Sequence, residues 1–96
     1  MPLLYQQSAR LVHPEGHADG IATVAFSPNG LLLASGGMDG RVCIWSTRTY
    51  KLLYVFHGKS PVLSLLWLEA SNEDLVCGME DGTIALLRIS VVRPTS

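Results

Sequence analysis

The sequence predicts an all-β protein that is built from two copies of one four-stranded antiparallel unit. Short apolar runs alternate with clusters of Gly, Pro, Asn and Asp, a pattern that is typical of strands joined by tight turns. An Asp-Gly pair occurs twice in the same setting, at Asp39-Gly40 and Asp81-Gly82. Of the 96 residues, 48% are hydrophobic and 16% are charged, so a disordered chain is excluded and a single small domain is expected.

The first unit is predicted to contain four strands that are joined by short turns. Pro presets the backbone and Gly accepts a positive φ in the segment Ser27-Pro28-Asn29-Gly30, which therefore predicts a turn. The Asp39-Gly40 pair predicts a hairpin. The predicted strands are residues 21–26, 31–36, 42–45 and 51–56.

The second unit repeats this order with predicted strands at residues 61–68, 75–78 and 84–89. Asp39 and Asp81 are 42 residues apart, and so are the pairs Gly40 and Gly82, and Gly36 and Gly78. The pairs Val24 and Leu65, and Phe26 and Trp67, are 41 apart, so the first hairpin of the second copy has one extra residue. Trp67 is predicted to lie in the core.

The repeat length indicates the class of β architecture. A period of about 42 residues falls within the roughly 40–45 residues of a four-stranded propeller blade. Helical repeats of similar length need apolar residues at 3.6-residue spacing, and Pro28 and the Gly36-Gly37 pair would interrupt them. The sequence therefore predicts two blades of a β-propeller.

The first copy contains four short motifs: Gly16-His17, the segment 24–30, the segment 33–40 and Ile44-Trp45. Together these motifs resemble a WD repeat, and the resemblance covers about residues 10–89. Trp45 is followed by Ser46 rather than by the Asp of the family pattern.

The resemblance implies a structural tetrad of hydrogen-bonded side chains, His17, Ser35, Asp39 and Trp45, in the first copy. Each is a polar group that needs a partner when it is buried. In the second copy only the turn residue Asp81 matches the pattern, because Lys59, Cys77 and Leu87 stand at the other three positions. We therefore expect the second blade to depend on apolar packing and to be the softer of the two.

The alignment of the copies also predicts the organisation of the chain. Residues 10–13 align with the strand at 51–56, so residues 10–17 should form an offset outer strand and a connecting loop. Residues 18–56 then form the first blade, residues 57–89 form three strands of the second, and residues 90–96 form a polar tail. Two blades expose open faces and strand edges, so a ring completed by oligomerisation is expected, as a homo-trimer or homo-tetramer.

Composition and motifs exclude several functional classes. The net charge of -1 disfavours nucleic acid as a partner, and no apolar run reaches the roughly 20 residues that a membrane helix needs. Neither the three histidines nor Cys43 and Cys77 show the spacing of metal ligands, and no cofactor motif is present.

Two cysteines within apolar runs favour reduced thiols and an intracellular location, cytoplasmic or nuclear. His17, Ser35 and Asp39 superficially match a hydrolase triad, but no nucleophile elbow accompanies them, so no enzyme is expected.

The remaining hypothesis is a scaffold that binds other proteins or peptides. The candidate partner-binding rim consists of residues that flank the hairpins at one end of the predicted blades. A lectin-like propeller with pockets for a ligand, a truncated propeller fragment and a degenerate remnant are the alternatives. The rim candidates are Asp19, Met38, Arg41, Lys59 and Glu80.

Overall fold

The structure, a computed structural model, describes residues 9–90, which form seven antiparallel strands in two sheets. The first sheet has the order β1-β2-β3-β4 and the second has the order β5-β6-β7. The prediction of an all-β chain with two antiparallel sheets is therefore confirmed. The strands are β1 Ile21–Phe26, β2 Leu32–Gly37, β3 Arg41–Ser46, β4 Leu52–His57, β5 Val62–Trp67, β6 Asp74–Met79 and β7 Ile84–Arg88.

The two Asp-Gly turns adopt the same hairpin geometry. The N–H of Gly40 donates to the carbonyl of Gly37 at 3.1 Å, and that of Gly82 donates to the carbonyl of Met79 at 3.1 Å. The positive φ falls on the glycine, 82° at Gly40 and 89° at Gly82, and not on the preceding Asp. Each hairpin is thus a turn followed by a glycine bulge, in which only Gly avoids steric strain.

The two sheets pack face to face through one apolar core, which we call the junction. Ala34, Val42 and Ile44 of the first sheet belong to the same buried cluster as Trp67 and Leu75 of the second. Trp67 is 4% exposed, and its Nε1–H donates to the carbonyl of Ala25 at 2.9 Å. The indole of Trp67 therefore fixes the innermost strands, β1 and β5, to each other, and its predicted place in the core is confirmed.

The expected outer strand at residues 10–13 does not form within the single chain, so the described residues contain seven strands rather than eight. A strand needs a neighbouring edge for its backbone hydrogen bonds. The repeat assigns this segment to a blade that would precede β1, and the described chain contains no such blade. Residues 91–96 of the predicted polar tail lie outside the described residues.

Each sheet has a second face, turned away from the junction, that the chain leaves open at least in part. In the first sheet this face is open along β1, whereas its residues Ser35, Cys43 and Trp45 are buried. We call the open face of the first sheet the upstream face and the open face of the second sheet the downstream face. Phe26 on the upstream face is 65% exposed and Leu86 on the downstream face is 67% exposed. The upstream face carries Ile21, Val24 and Phe26, and the downstream face carries Leu66, Ile84 and Leu86.

Candidate functional site

The structure brings together the four residues of the implied tetrad. The indole N–H of Trp45 donates to Ser35 Oγ at 2.9 Å, and Ser35 Oγ lies 2.7 Å from His17 Nε2. His17 Nδ1 lies 3.3 Å from Asp39 Oδ1. With a proton on Nδ1 of a neutral imidazole, the hydroxyl of Ser35 donates to Nε2 and Nδ1–H donates to the carboxylate. Every group in the network then has a partner, as burial requires.

The network joins a loop to the central hairpin of the first sheet. Ser35 lies in β2, Trp45 in β3 and Asp39 in the turn between them, whereas His17 lies in the loop before β1. Asp39 also accepts the backbone N–H of Ala18 at 2.6 Å and that of Arg41 at 2.9 Å. The carboxylate of Asp39 thus accepts hydrogen bonds from three donors in two segments of the chain, and it connects the loop before β1 to the β2–β3 hairpin.

Gly37 is a fifth member that the sequence reasoning did not single out. A Cβ at this position would lie 2.5 Å from Asp39 Oδ1 and closer still to the imidazole of His17. Only a glycine therefore leaves room for the imidazole and the carboxylate to meet. A second glycine directly after Gly36, two residues before the Asp of the turn, is the signal that could have revealed this role.

The rim candidates lie at one end of both sheets. Antiparallel strands place the starts of β1, β3, β5 and β7 at the same end as the finishes of β2, β4 and β6. Arg41 is partly covered, and its guanidinium donates to the carbonyl of Gly16. The other four candidates are exposed in the loops at this end: Asp19, Met38, Lys59 and Glu80.

The same stretch of chain matches a known family. The family model described as "WD domain, G-beta repeat" matches residues 8–46, a range that holds all four tetrad residues. The chain belongs to the WD-repeat family. Seven antiparallel strands in two stacked sheets agree with two blades of a propeller built from WD repeats.

Relatives and solved structures with similar sequences extend this match into the second WD repeat. The "Periodic tryptophan protein 2 homolog" of Dictyostelium discoideum is 32% identical over 83% of this chain and 9% of its own length. The "Small ribosomal subunit protein RACK1y" of Oryza sativa subsp. japonica is 40% identical over 65% of this chain and 20% of its own length. The computationally designed Ika4 protein aligns with a TM-score of 0.69 and 33% identity, over 83% of this chain and 48% of its own. The chain thus spans 20% or less of the length of these two curated relatives.

The second WD repeat replaces the polar network by apolar packing. Met79 stands where the first repeat has Gly37, is 8% exposed, and places its Cε 2.9 Å from where a Cβ on Gly58 would lie. The thioether of Met79 therefore uses space that the glycine leaves to an imidazole, and Lys59 remains exposed. Cys77 is fully buried in the apolar cluster. The softness of this blade stays a prediction.

Hydrogen bonding holds the Asp39 carboxylate in its charged form. Burial alone raises the pKa of Asp39, but the N–H groups of Arg41 and Ala18 and the side chain of His17 outweigh burial and hold this pKa below its ordinary value of 3.8. Donors that serve the charged form stabilise the fold only while the carboxylate is ionised. Asp39 therefore links the stability of the WD repeat to pH.

The stability that Asp39 contributes should disappear in acid. Because its folded pKa lies below its unfolded pKa, the contribution is complete above about pH 5 and is lost as the pH falls through 3.8 towards the folded pKa. Urea unfolding of the wild type and of Asp39→Asn between pH 3 and pH 7 measures this loss. We expect the difference in unfolding free energy between the two proteins to shrink in acid. A difference that is constant with pH would contradict the assignment.

The cysteine thiols and the Ser35 hydroxyl are buried side chains, and the potential metal ligands among residues 9–90 are dispersed. No group of three or more His, Cys, Asp or Glu within residues 9–90 could hold a metal ion. Burial raises the pKa of Cys43 and of Cys77 to about 11, so both free thiols stay protonated. Ser35 is 2% exposed and its oxygen accepts from Trp45. No helix among these residues has the length and apolar character to cross a membrane.

Proposed function

We propose that this chain is a non-enzymatic scaffold whose partners are other proteins or peptides that bind at the rim. The observation that carries the proposal is the position of the rim candidates at one end of two stacked sheets. The hairpin that presents Met38 is fixed by the buried tetrad through Asp39, so the rim is held in one conformation before a partner arrives. A preorganised surface loses less entropy on binding.

The chemistry of the rim favours polypeptide partners. Asp19 and Glu80 are acidic, Arg41 and Lys59 are basic, and Met38 is apolar and 42% exposed. Mixed charges around an adaptable thioether suit a folded protein or a peptide. A nucleic acid would be held by a surplus of basic groups, which the net charge of -1 does not supply. The name of one relative as a protein of the small ribosomal subunit, a multicomponent assembly, supports a role in macromolecular contacts.

A closed ring is part of this proposal. The upstream and downstream faces are apolar and open, and further copies of the chain would cover them in a homo-trimer or homo-tetramer of six or eight blades. Residues 10–13 of a neighbouring copy would supply the missing outer strand of the second blade at the free edge of β7. Val12, which is 71% exposed in the single chain, would thereby gain a partner.

The cysteines support an intracellular location, in the cytoplasm or the nucleus. Cys43 and Cys77 are both free and buried, and burial keeps their thiols protonated and sheltered from oxidants. Neither cysteine forms a disulfide, whereas small secreted domains are usually stabilised by several disulfides.

The experiment that tests the scaffold proposal compares rim variants with variants at the opposite end of the sheets. The immobilised chain captures proteins from a cell extract, and the strongest partner is then purified and titrated directly. We expect Met38→Ala or Lys59→Ala to weaken binding about tenfold or more, because a few exposed side chains carry most of the affinity of an interface.

Two variants at the other end of the sheets serve as matched controls. Arg48 and Glu73 are exposed there, and Arg48→Ala and Glu73→Ala should leave the dissociation constant unchanged. A partner that is sensitive to the control variants and insensitive to the rim variants would move the binding site to the opposite end. Saturable binding of free glycans without capture of a polypeptide would favour the lectin-like alternative.

A further inference from the structure

A cavity of about 250 Å³ lies at the rim end of the junction, and we call it the rim cavity. Phe56 of β4, Met79 of β6 and Ala85 of β7 form its apolar walls. These three side chains are partly or fully buried, whereas Lys59 and Asp81, which also line the cavity, are exposed. The cavity therefore has an apolar interior and a charged mouth. Because Lys59 is a rim candidate, the mouth belongs to the surface that is proposed to bind a partner.

The corresponding place in the first repeat is filled by two aromatic rings. Gly16, the counterpart of the cavity residue Gly58, lies against the indole of Trp45, where an added Cβ would be 3.4 Å from Trp45 Cη2. Ser35 Oγ is hydrogen-bonded to this indole and to the imidazole of His17. Trp45 is 4% exposed. The first repeat thus encloses planar rings at the position of the rim cavity.

The second repeat supplies neither of these rings. Lys59 stands at the position of the imidazole and is exposed, and the smaller Leu87 stands at the position of the indole. Met79 uses the space of the imidazole, but a volume of about 250 Å³ remains beside it. An apolar cavity of about 150 Å³ is sufficient to bind benzene. The remaining space is therefore large enough for one aromatic ring system.

The walls of the rim cavity favour an aromatic ligand over an aliphatic one. Phe56 packs against the buried cluster, and its ring can pair edge to face with a second ring. The thioether of Met79 offers the favourable contact that sulfur makes with aromatic rings. At the mouth, Asp81 Oδ1 accepts the N–H of Thr83 at 2.8 Å, and a carboxylate has lone pairs for further donors. A ring that carries an N–H, as indole does, therefore matches both the walls and the mouth.

We propose that the rim cavity binds the indole ring of a tryptophan side chain of the polypeptide partner. The ring packs between Phe56 and Met79, and its N–H donates to the carboxylate of Asp81. Lys59 at the mouth and Glu80, next to Asp81 in the chain, are exposed and meet the polar groups of the same partner. This site rests on the proposed function, because it specifies which side chain of the partner the rim recognises.

Titration of the chain with N-acetyl-tryptophanamide, followed by NMR of isotope-labelled methionine methyl groups, tests the site directly. The probe carries an indole ring between two peptide groups, and a ligand of its size binds at about millimolar concentration. The methyl signal of Met79 should shift until it saturates, because a ring that is stacked on the methyl group changes its magnetic environment. Met38 does not line the cavity, and its methyl signal should stay unchanged.

Two related probes measure the chemistry that the cavity selects. N-acetyl-leucinamide lacks the ring and should bind more weakly by about threefold or more. The tryptophan probe methylated on its indole nitrogen should lose a similar factor, because it cannot donate to Asp81. A Met79 methyl signal that does not shift, or equal affinities for the tryptophan and leucine probes, would overturn the proposal. Equal affinities for the tryptophan probe and its methylated form would overturn the hydrogen bond to Asp81.

A cavity-filling variant and a matched control locate the bound ring. Ala85→Leu fills the cavity from its wall and should abolish the shift of the Met79 methyl signal. Ala70→Leu adds the same group at an exposed position at the other end of the sheets, and it should bind the probe like the wild type. Unchanged binding by Ala85→Leu would place the ring elsewhere. If Ala85→Leu fails to fold, the three probes on the wild type still decide the question.

The remaining outcomes separate the rim cavity from the rim proposal. A purified partner that depends on Met38 and Lys59 but leaves the Met79 methyl signal unshifted would overturn the cavity site and keep the rim. Free indole that binds while N-acetyl-tryptophanamide does not would overturn a polypeptide as the source of the ring. Failure of the rim proposal is read from unchanged dissociation constants of Met38→Ala and Lys59→Ala for the purified partner.

Discussion

Replacing Trp67 by alanine is expected to lower the free energy of unfolding by about 3–5 kcal/mol. Trp67 is 4% exposed and lies in the cluster that joins the two sheets. Its loss opens a cavity between β1 and β5 and removes the N–H that serves the carbonyl of Ala25. A domain of this size has a total free energy of unfolding of about 5–15 kcal/mol, so the substitution would remove a large fraction of that free energy. Urea unfolding at a fixed protein concentration measures the effect.

The variant Trp67→Phe separates the contribution of apolar packing from that of the hydrogen bond to Ala25. Phenylalanine keeps most of the apolar contact and lacks the N–H, so it should cost about 1–3 kcal/mol, the effect of leaving the partly buried carbonyl of Ala25 without its donor. A similar cost for the two variants would mean that the hydrogen bond to Ala25, and not packing, holds the sheets together. A negligible cost for Trp67→Ala would show that the sheets do not stack through this residue.

The second large effect is expected at Ser35, the centre of the tetrad. Ser35→Ala removes the oxygen that accepts from Trp45 and the hydroxyl proton that serves His17 Nε2. Two polar groups in a closed site then lack a partner, at about 1–3 kcal/mol for each. Chemical unfolding of Ser35→Ala beside the wild type gives the difference directly. An unchanged unfolding midpoint would show that the network contributes nothing to stability.

The second repeat offers the reciprocal variant as a control. Cys77 occupies the position that corresponds to Ser35, but it is surrounded by the apolar cluster and Met79 stands where Gly37 would leave room for an imidazole. Cys77→Ser should therefore destabilise the chain by about 1–3 kcal/mol, because the hydroxyl has no network to join. A stabilising Cys77→Ser would indicate that the second repeat retains partners for a polar side chain. Removing the hydroxyl at position 35 and introducing one at position 77 together distinguish a polar blade from an apolar one.

Local sequence patterns were sufficient to place the strands and the turns. The bounds of β1 are those predicted from the run at residues 21–26, and each end of the other strands differs from prediction by no more than one residue. Turn chemistry and alternation act over a few residues, so they can be read without the fold. The fixed spacing of the two Asp-Gly turns also determined the number of repeats. The resemblance to a WD repeat named the tetrad residues that the structure brings together.

Only the tertiary structure decided how the two repeats differ and which surfaces remain open. The sequence placed Trp67 in the core, but it could not show that Phe26, at the corresponding position of the first repeat, is 65% exposed. Nor could it show that Met79 uses the space that Gly37 gives to His17, because these groups meet across different strands and loops.

The absence of a strand at residues 10–13 also depends on contacts between distant parts of the chain. Their composition suits a strand, but a strand needs backbone hydrogen bonds to a neighbour, and within the described chain these residues pair with no strand. The sequence by itself determined the repeat, the strands, the turns and the residue types of the polar network. The tertiary structure determined burial, pairing and the unpaired faces, because these depend on contacts between residues that are far apart in the chain.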